Sequence, residues 1–240
     1  MNFDQALKQL EAAGTAQNRK VYARHGVKDP QFGVSLAHLG KLTRAIGTNQ
    51  EIADKLWATG NHDAQVLATM VADPQRFGLR DLDGLCRKIG NYVLADAFSK
   101  LVARSPHARR KAEVWTRSKS DFVGQVGFNV LAGLALSVPQ DDPDLDDAYF
   151  EGHLVKIEEE IHQRPNRTRH AMNQALIAIG VRNPNLTTKA LAAAGRIGGV
   201  DVDHGETSCK TPNASDYIRK TLEYRRAKAR KKKTKARARS

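Results

Sequence analysis

Residues 200–212, VDVDHGETSCKTP, gather Asp201, Asp203, His204, Glu206, Ser208 and Cys209 within ten positions. No other stretch of the chain is so dense in chemically capable side chains. The residue types suit metal ligation, a Cys209–His204 nucleophile and base, or a polar connector. A closed metal site rarely comes from one short loop. A nucleophile needs an oxyanion hole and a cleft, and no flanking motif supplies them. The connector reading is therefore favoured, with Lys210 and Thr211 placed to touch phosphate from a glycine-containing turn. A second functional role for the loop stays open. The acidic run DDPDLDD (141–147) lacks the spacing of a calcium-binding loop and reads as a helix start. No metal and no cofactor are expected.

The cations are the other chemistry-bearing group. RSPHARRKAEVWTRSK (104–119) holds Arg104, Arg109, Arg110, Lys111, Arg117 and Lys119 against one acid, Glu113. HQRPNRTRH (162–170) adds Arg164, Arg167 and Arg169 where one helix gives way to the next. Helix starts and loops can present amides and cations to phosphates; a solvated charged face is the alternative. Formal net charge is +13, and residues 225–240 carry ten cations, Lys231, Lys232 and Lys233 among them, and no acid. Removing those ten from +13 leaves +3 for residues 1–224. Such a block binds polyanions through counterion release and is normally disordered. His25, Asn61, His62 and Asp63 fall at helix ends and read as caps.

These groups need elements to position them. Hydrophobic residues make up 40% of the 240 and aromatics only 6%. An apolar set dominated by Ala and Leu favours helices over a β-sandwich. Cys86 and Cys209 lie far apart, which argues against a disulfide framework or zinc ribbon. The start, MNFDQALKQLEAAG, has no apolar h-region, and no apolar run reaches membrane-spanning length. A cytoplasmic protein without membrane contact is expected. Apolar spacing of three to four predicts helices over 3–14, 34–47, 49–60, 61–74, 79–90, 91–106, 107–118, 119–137, 142–163, 167–180 and 186–199, then a last helix into the tail. Pairs of short helices at about 40-residue intervals predict an all-α, HEAT-like α-α superhelix of antiparallel pairs with a concave surface. The domain would span 1–224, followed by a disordered basic tail over 225–240.

Four stretches together resemble the DNA alkylation repair glycosylase family built from HEAT-like repeats: YARHGVKDPQFGVSLAHLGKL (22–42), ADKLWATGNHDAQVLATMVA (53–72), NYVLADAF (91–98) and VDHGETSCKTPNASDYIRK (202–220). The last is similar to the closing signature of one bacterial branch. The resemblance implies a monomeric protein that acts on double-stranded DNA in the bacterial nucleoid and excises N3- and N7-alkylated purines. Those bases leave readily as cations, so one carboxylate that stabilises an oxocarbenium-like sugar and orients a water suffices. Asp96 matches that carboxylate, and Tyr92, one helical turn away, stands where the family has tryptophan. Gln125 falls at the family's arginine and Gln174 at its second aromatic. Glutamine has neither the charge nor the fork of arginine. The DNA-contacting set is then Gln125 with Arg109, Arg110, Lys111, Arg117, Lys119, Arg167, Arg169, Lys210 and Lys231–Lys233. Two alternatives to excision remain: a non-catalytic protein recognising distorted or branched DNA, and a protein scaffold.

Overall fold

A computed structural model describes residues 1–137 and 143–237. The described residues form thirteen α-helices and no strand: α1 (Phe3–Ala13), α2 (Ala16–Arg24), α3 (Leu36–Ile46), α4 (Gln50–Ala58), α5 (His62–Val71), α6 (Leu79–Arg87), α7 (Tyr92–Val102), α8 (Ala108–Trp115), α9 (Asp121–Leu136), α10 (Asp147–Glu160), α11 (Asn166–Gly180), α12 (Pro184–Ile197) and α13 (Ala214–Arg237). The starts are chemically marked. Asn2, Thr15, Ser35, Asn49, Asn61, Asn91, Asp146 and Asn183 each accept a hydrogen bond from a first-turn amide. Each cap satisfies donors that the helix cannot satisfy itself.

Two rows of helices result. α5, α7, α9, α11 and α13 pack in succession, and each also packs on the helix before it in the chain. This is the antiparallel-pair stack expected from the spacing. α9 is its centre, touching α6, α7, α8 and α11. Small residues permit that closeness: a Cβ on Gly127 would lie 2.6 Å from the Thr116 amide nitrogen, and one on Gly124 would lie 2.5 Å from the Thr168 hydroxyl. Phe98 of α7 is fully buried between Trp57 and Trp115, at ring-centroid distances of 5.9 and 6.3 Å. Arg182 closes the far end of α9. Its guanidinium donates to the carbonyls of Leu134, Ala135, Ser137 and Leu145 at 2.9–3.2 Å and lies 4.7 Å from the Phe150 ring centroid.

Two elements differ from the sequence expectation. α2 buries no residue fully, so it has no apolar stripe to read. The basic segment, expected to be disordered from residue 225, continues α13 as helix to Arg237. Its first turns are anchored by buried Ala214 and Ile218, and Arg225 donates to the Val181 carbonyl. Once nucleated there, a run of Ala, Lys and Arg propagates well. Residues 238–240 lie outside the described residues, as do Asp141 and Asp142 of the acidic run; Asp146, within that run, caps α10 as expected.

Candidate nucleic-acid interface

Asn91 caps α7 and sets its first turn, so Tyr92 and Asp96 share one face toward α9 and α11. One carboxylate oxygen of Asp96 accepts from the Gln125 amide at 2.8 Å and from the Asn129 amide at 2.7 Å. Those two residues are one turn apart on α9. The Gln125 amide also donates to the Tyr92 carbonyl at 3.1 Å, and Gln125 is buried. Burial raises the Asp96 carboxyl above its ordinary value; the two amides, Lys100 and Arg167 oppose that shift.

Tyr92 is occupied on both its edge and its face. Its hydroxyl bonds to Nδ1 of His25, at the end of α2. The Arg167 guanidinium, from the first turn of α11, lies 3.8 Å from the Tyr92 ring centroid, a close cation–π contact. Burial raises the Tyr92 phenol, and Arg167 opposes it. The starts of α7, α9 and α11, the end of α2 and residues 203–205 surround a recess of about 320 Å³.

The 200–212 stretch behaves as a connector. Asn166 binds the Asp203 backbone in both directions at 2.8 Å, and the Gly205 amide donates to the Asp203 carboxylate. His204 Nε2 bonds to the Thr211 hydroxyl at 2.9 Å, and the Asn173 amide donates to the Pro212 carbonyl. The His204 ring meets His170 edge-on, 5.4 Å between centroids. Burial, His204 and Arg167 push the His170 imidazole down to about 4. Among the described residues no three His, Cys, Asp or Glu side chains gather as a metal site. The loop thus ties α11 to the rim of the recess, with Cys209 and Lys210 exposed.

The cations expected to contact DNA divide sharply. Arg110, Arg117, Lys119, Lys210 and Lys231 are exposed. Arg167 and Arg169 are half-buried, Arg167 on Tyr92. Arg109 pairs with Asp144 at 2.7 Å and Glu113 at 3.2 Å. Two of the expected contact residues point inward. Lys111 is buried, pairs with Asp83 at 2.6 Å and sits 5.2 Å from the Trp115 ring centroid, so it cannot reach a phosphate. Gln125 is spent inside the Asp96 cluster. The side chains of Lys232 and Lys233 lie outside the described residues.

His25 and Asn129 join the Tyr92–Asp96 cluster without a sequence motif that marks them. Asn129 follows Gln125 by four positions, a spacing that could have revealed a paired amide clamp. His25 reads as a cap in the sequence, and its contact with Tyr92 spans 67 positions, beyond any local signal.

Fold and site define a helical-repeat protein with a polar, cation-rimmed face along the starts of its inner helices. Residues 6–218 match the family described as DNA alkylation repair enzyme, and the chain belongs to that family. It is 26% identical over 231 residues to an uncharacterized Listeria innocua protein, Lin0241, covering 92% of this chain and 97% of the relative. It is also 26% identical over 226 residues to the Listeria monocytogenes protein Lmo0209, with the same coverage. Among solved structures it is similar to a member of "a new family of proteins related to the HEAT-like repeat DNA glycosylases with affinity for branched DNA structures". That likeness has a TM-score of 0.84 and 28% identity, over 93% of this chain and 95% of the other. The HEAT-like repeat fold expected from helix spacing is the fold observed. No helix among the described residues is long and apolar enough to cross a membrane.

Proposed function

We propose that this protein acts as a single chain that holds distorted or branched DNA by its sugar–phosphate backbone and does not excise bases. One observation carries the reading: Asp96 is tied by two amides at 2.7 and 2.8 Å, while Arg167 covers the aromatic face beside it. A carboxylate that stabilises a sugar cation must face the substrate, and an aromatic that packs on deoxyribose must offer an open face. Here one carboxylate oxygen and one ring face are used to join α7, α9 and α11. Gln125, which the resemblance sets at the family's arginine, is a buried amide without the charge of a guanidinium. Exposed Arg110, Arg117, Lys119 and Lys210 remain for backbone contacts, which fix register without reading sequence. The similarity to proteins with affinity for branched DNA supports the same reading.

The test is competition binding at fixed salt between a four-way junction and a linear duplex of matched length. The junction should win by tenfold or more, on the order of 1.4 kcal/mol, and Asp96→Asn should leave that preference unchanged. Equal affinity for both DNAs, or loss of binding in Asp96→Asn, would contradict it.

A further inference from the structure

Beside the Tyr92 recess lies a second, larger recess lined by Arg117, Lys119, Lys156, Glu160, Gln163 and Arg164, with Pro165 at its edge. The two meet at the starts of α9 and α11: Lys119 and Pro165 line one, Asp121 and Arg167 the other. The charges in the second recess are unbalanced. Glu160 is its acid, and Arg164 takes it at 3.0 Å. Arg117, Lys119 and Lys156 make no ion pair among the described residues. Partial burial lowers the Lys156 ammonium, with Arg164 and Arg117 adding to the effect and Glu160 opposing it. Gathering four cations around one acid has an electrostatic cost that an incoming anion would relieve.

One wall of the recess is tied down. Arg164 donates to the Thr116 carbonyl at 3.0 Å and the Ser118 carbonyl at 2.6 Å, with its guanidinium 6.0 Å from the Phe128 ring centroid. The Ser120 amide donates to the Ser118 hydroxyl. The turn bearing Arg117 and Lys119 is therefore fixed before any ligand arrives, facing Lys156 on α10.

We infer that Arg117, Lys119 and Lys156 form a preformed phosphate seat for the DNA backbone, with Arg164 as its positioning residue. This rests on the DNA-holding reading above and adds Lys156, which no charge run in the sequence marked. A seat built on a fixed turn loses little backbone freedom on binding.

Two readouts test the seat on the full chain. In the first, four-way-junction affinity is measured across a salt series for wild type, Lys156→Gln and the control Lys8→Gln, an exposed lysine on α1. Lys156→Gln should weaken binding about fivefold and reduce the log–log salt slope by about one; Lys8→Gln should do neither. In the second, backbone amide signals of residues 117–119 are followed by NMR as inorganic phosphate is added at constant ionic strength. They should move in wild type and stay fixed in Lys156→Gln. Unchanged DNA affinity in Lys156→Gln, or an equal loss in Lys8→Gln, overturns the seat. Phosphate-dependent shifts without any junction binding by wild type would uphold an anion seat and refute the DNA-holding reading instead.

Discussion

The Asp96 cluster and the Arg117–Lys119–Lys156 recess lie on neighbouring parts of the same helical stack and use polar groups in opposite ways. Around Asp96 the donors converge on an acceptor: two amides on the carboxylate, a histidine on the tyrosine hydroxyl, a guanidinium on the ring. In the recess three cations face an open volume and the local acid is already engaged. Matched polar groups stabilise a fold and leave little for a ligand. Unmatched charges of one sign contribute little to the fold and are available to a partner. On the proposed reading, residues that look catalytic in the sequence serve structure, and residues that look like a solvated charged face are the binding candidates.

Substitutions sharpen that contrast by moving different observables. The largest stability loss should come from Arg182→Met, which leaves the end of α9 without its donor and should cost on the order of 3 kcal/mol, read as a shift in the denaturation midpoint. Asp96→Ala should follow at about 2 kcal/mol, because it leaves the Gln125 and Asn129 amides without their shared acceptor. If Asp96→Ala left stability untouched and abolished DNA binding, the two regions would have exchanged roles.

Acidification tests the buried imidazoles. Burial, with Lys156 and Arg117, pushes His153 down to about 4; burial, with His204 and Arg167, does the same to His170. Both pKa values lie below the ordinary value of 6.5, so the unfolded chain binds the extra protons. Stability should be intact above pH ~6.5 and fall as pH drops towards 4, by up to about 2 kcal/mol per histidine between pH 7 and 5. His170→Gln should flatten that slope in a pH series of thermal melts.

The smallest effect is expected from Asp96→Asn. Its amide oxygen can still accept from both donors, and it removes a partly buried charge whose carboxyl pKa is raised. Stability at pH 7 should change by less than about 0.5 kcal/mol. A carboxylate kept for its charge would not tolerate the change so quietly.

Much of the fold was legible because HEAT-like pairs are built from local signals. Asn49, Asn91 and Ser35 cap helices whose apolar faces repeat at three to four residues, and Gly47 and Gly198 end two of them at positive φ. α2 was not legible, because it packs only partly buried side chains and carries no stripe. The candidate site was legible in some of its members and not in their wiring. Asp96, Tyr92 and Gln125 stand out together in the sequence, but sequence cannot say that Gln125 faces Asp96 and not a phosphate. Lys111 sits in a run of cations and yet turns inward to Asp83, a partner 28 positions away. Lys156 stands alone among the acids of α10, and only the fold brings it opposite Arg117 and Lys119.

The most direct measurement is release of free base from N-methylated duplex DNA by wild type and by Asp96→Asn, beside their binding to an unmodified four-way junction. Neither protein should release 3-methyladenine or 7-methylguanine above the spontaneous rate, and both should bind the junction equally. Release by wild type that disappears in Asp96→Asn would contradict it and would restore Asp96 as a catalytic carboxylate.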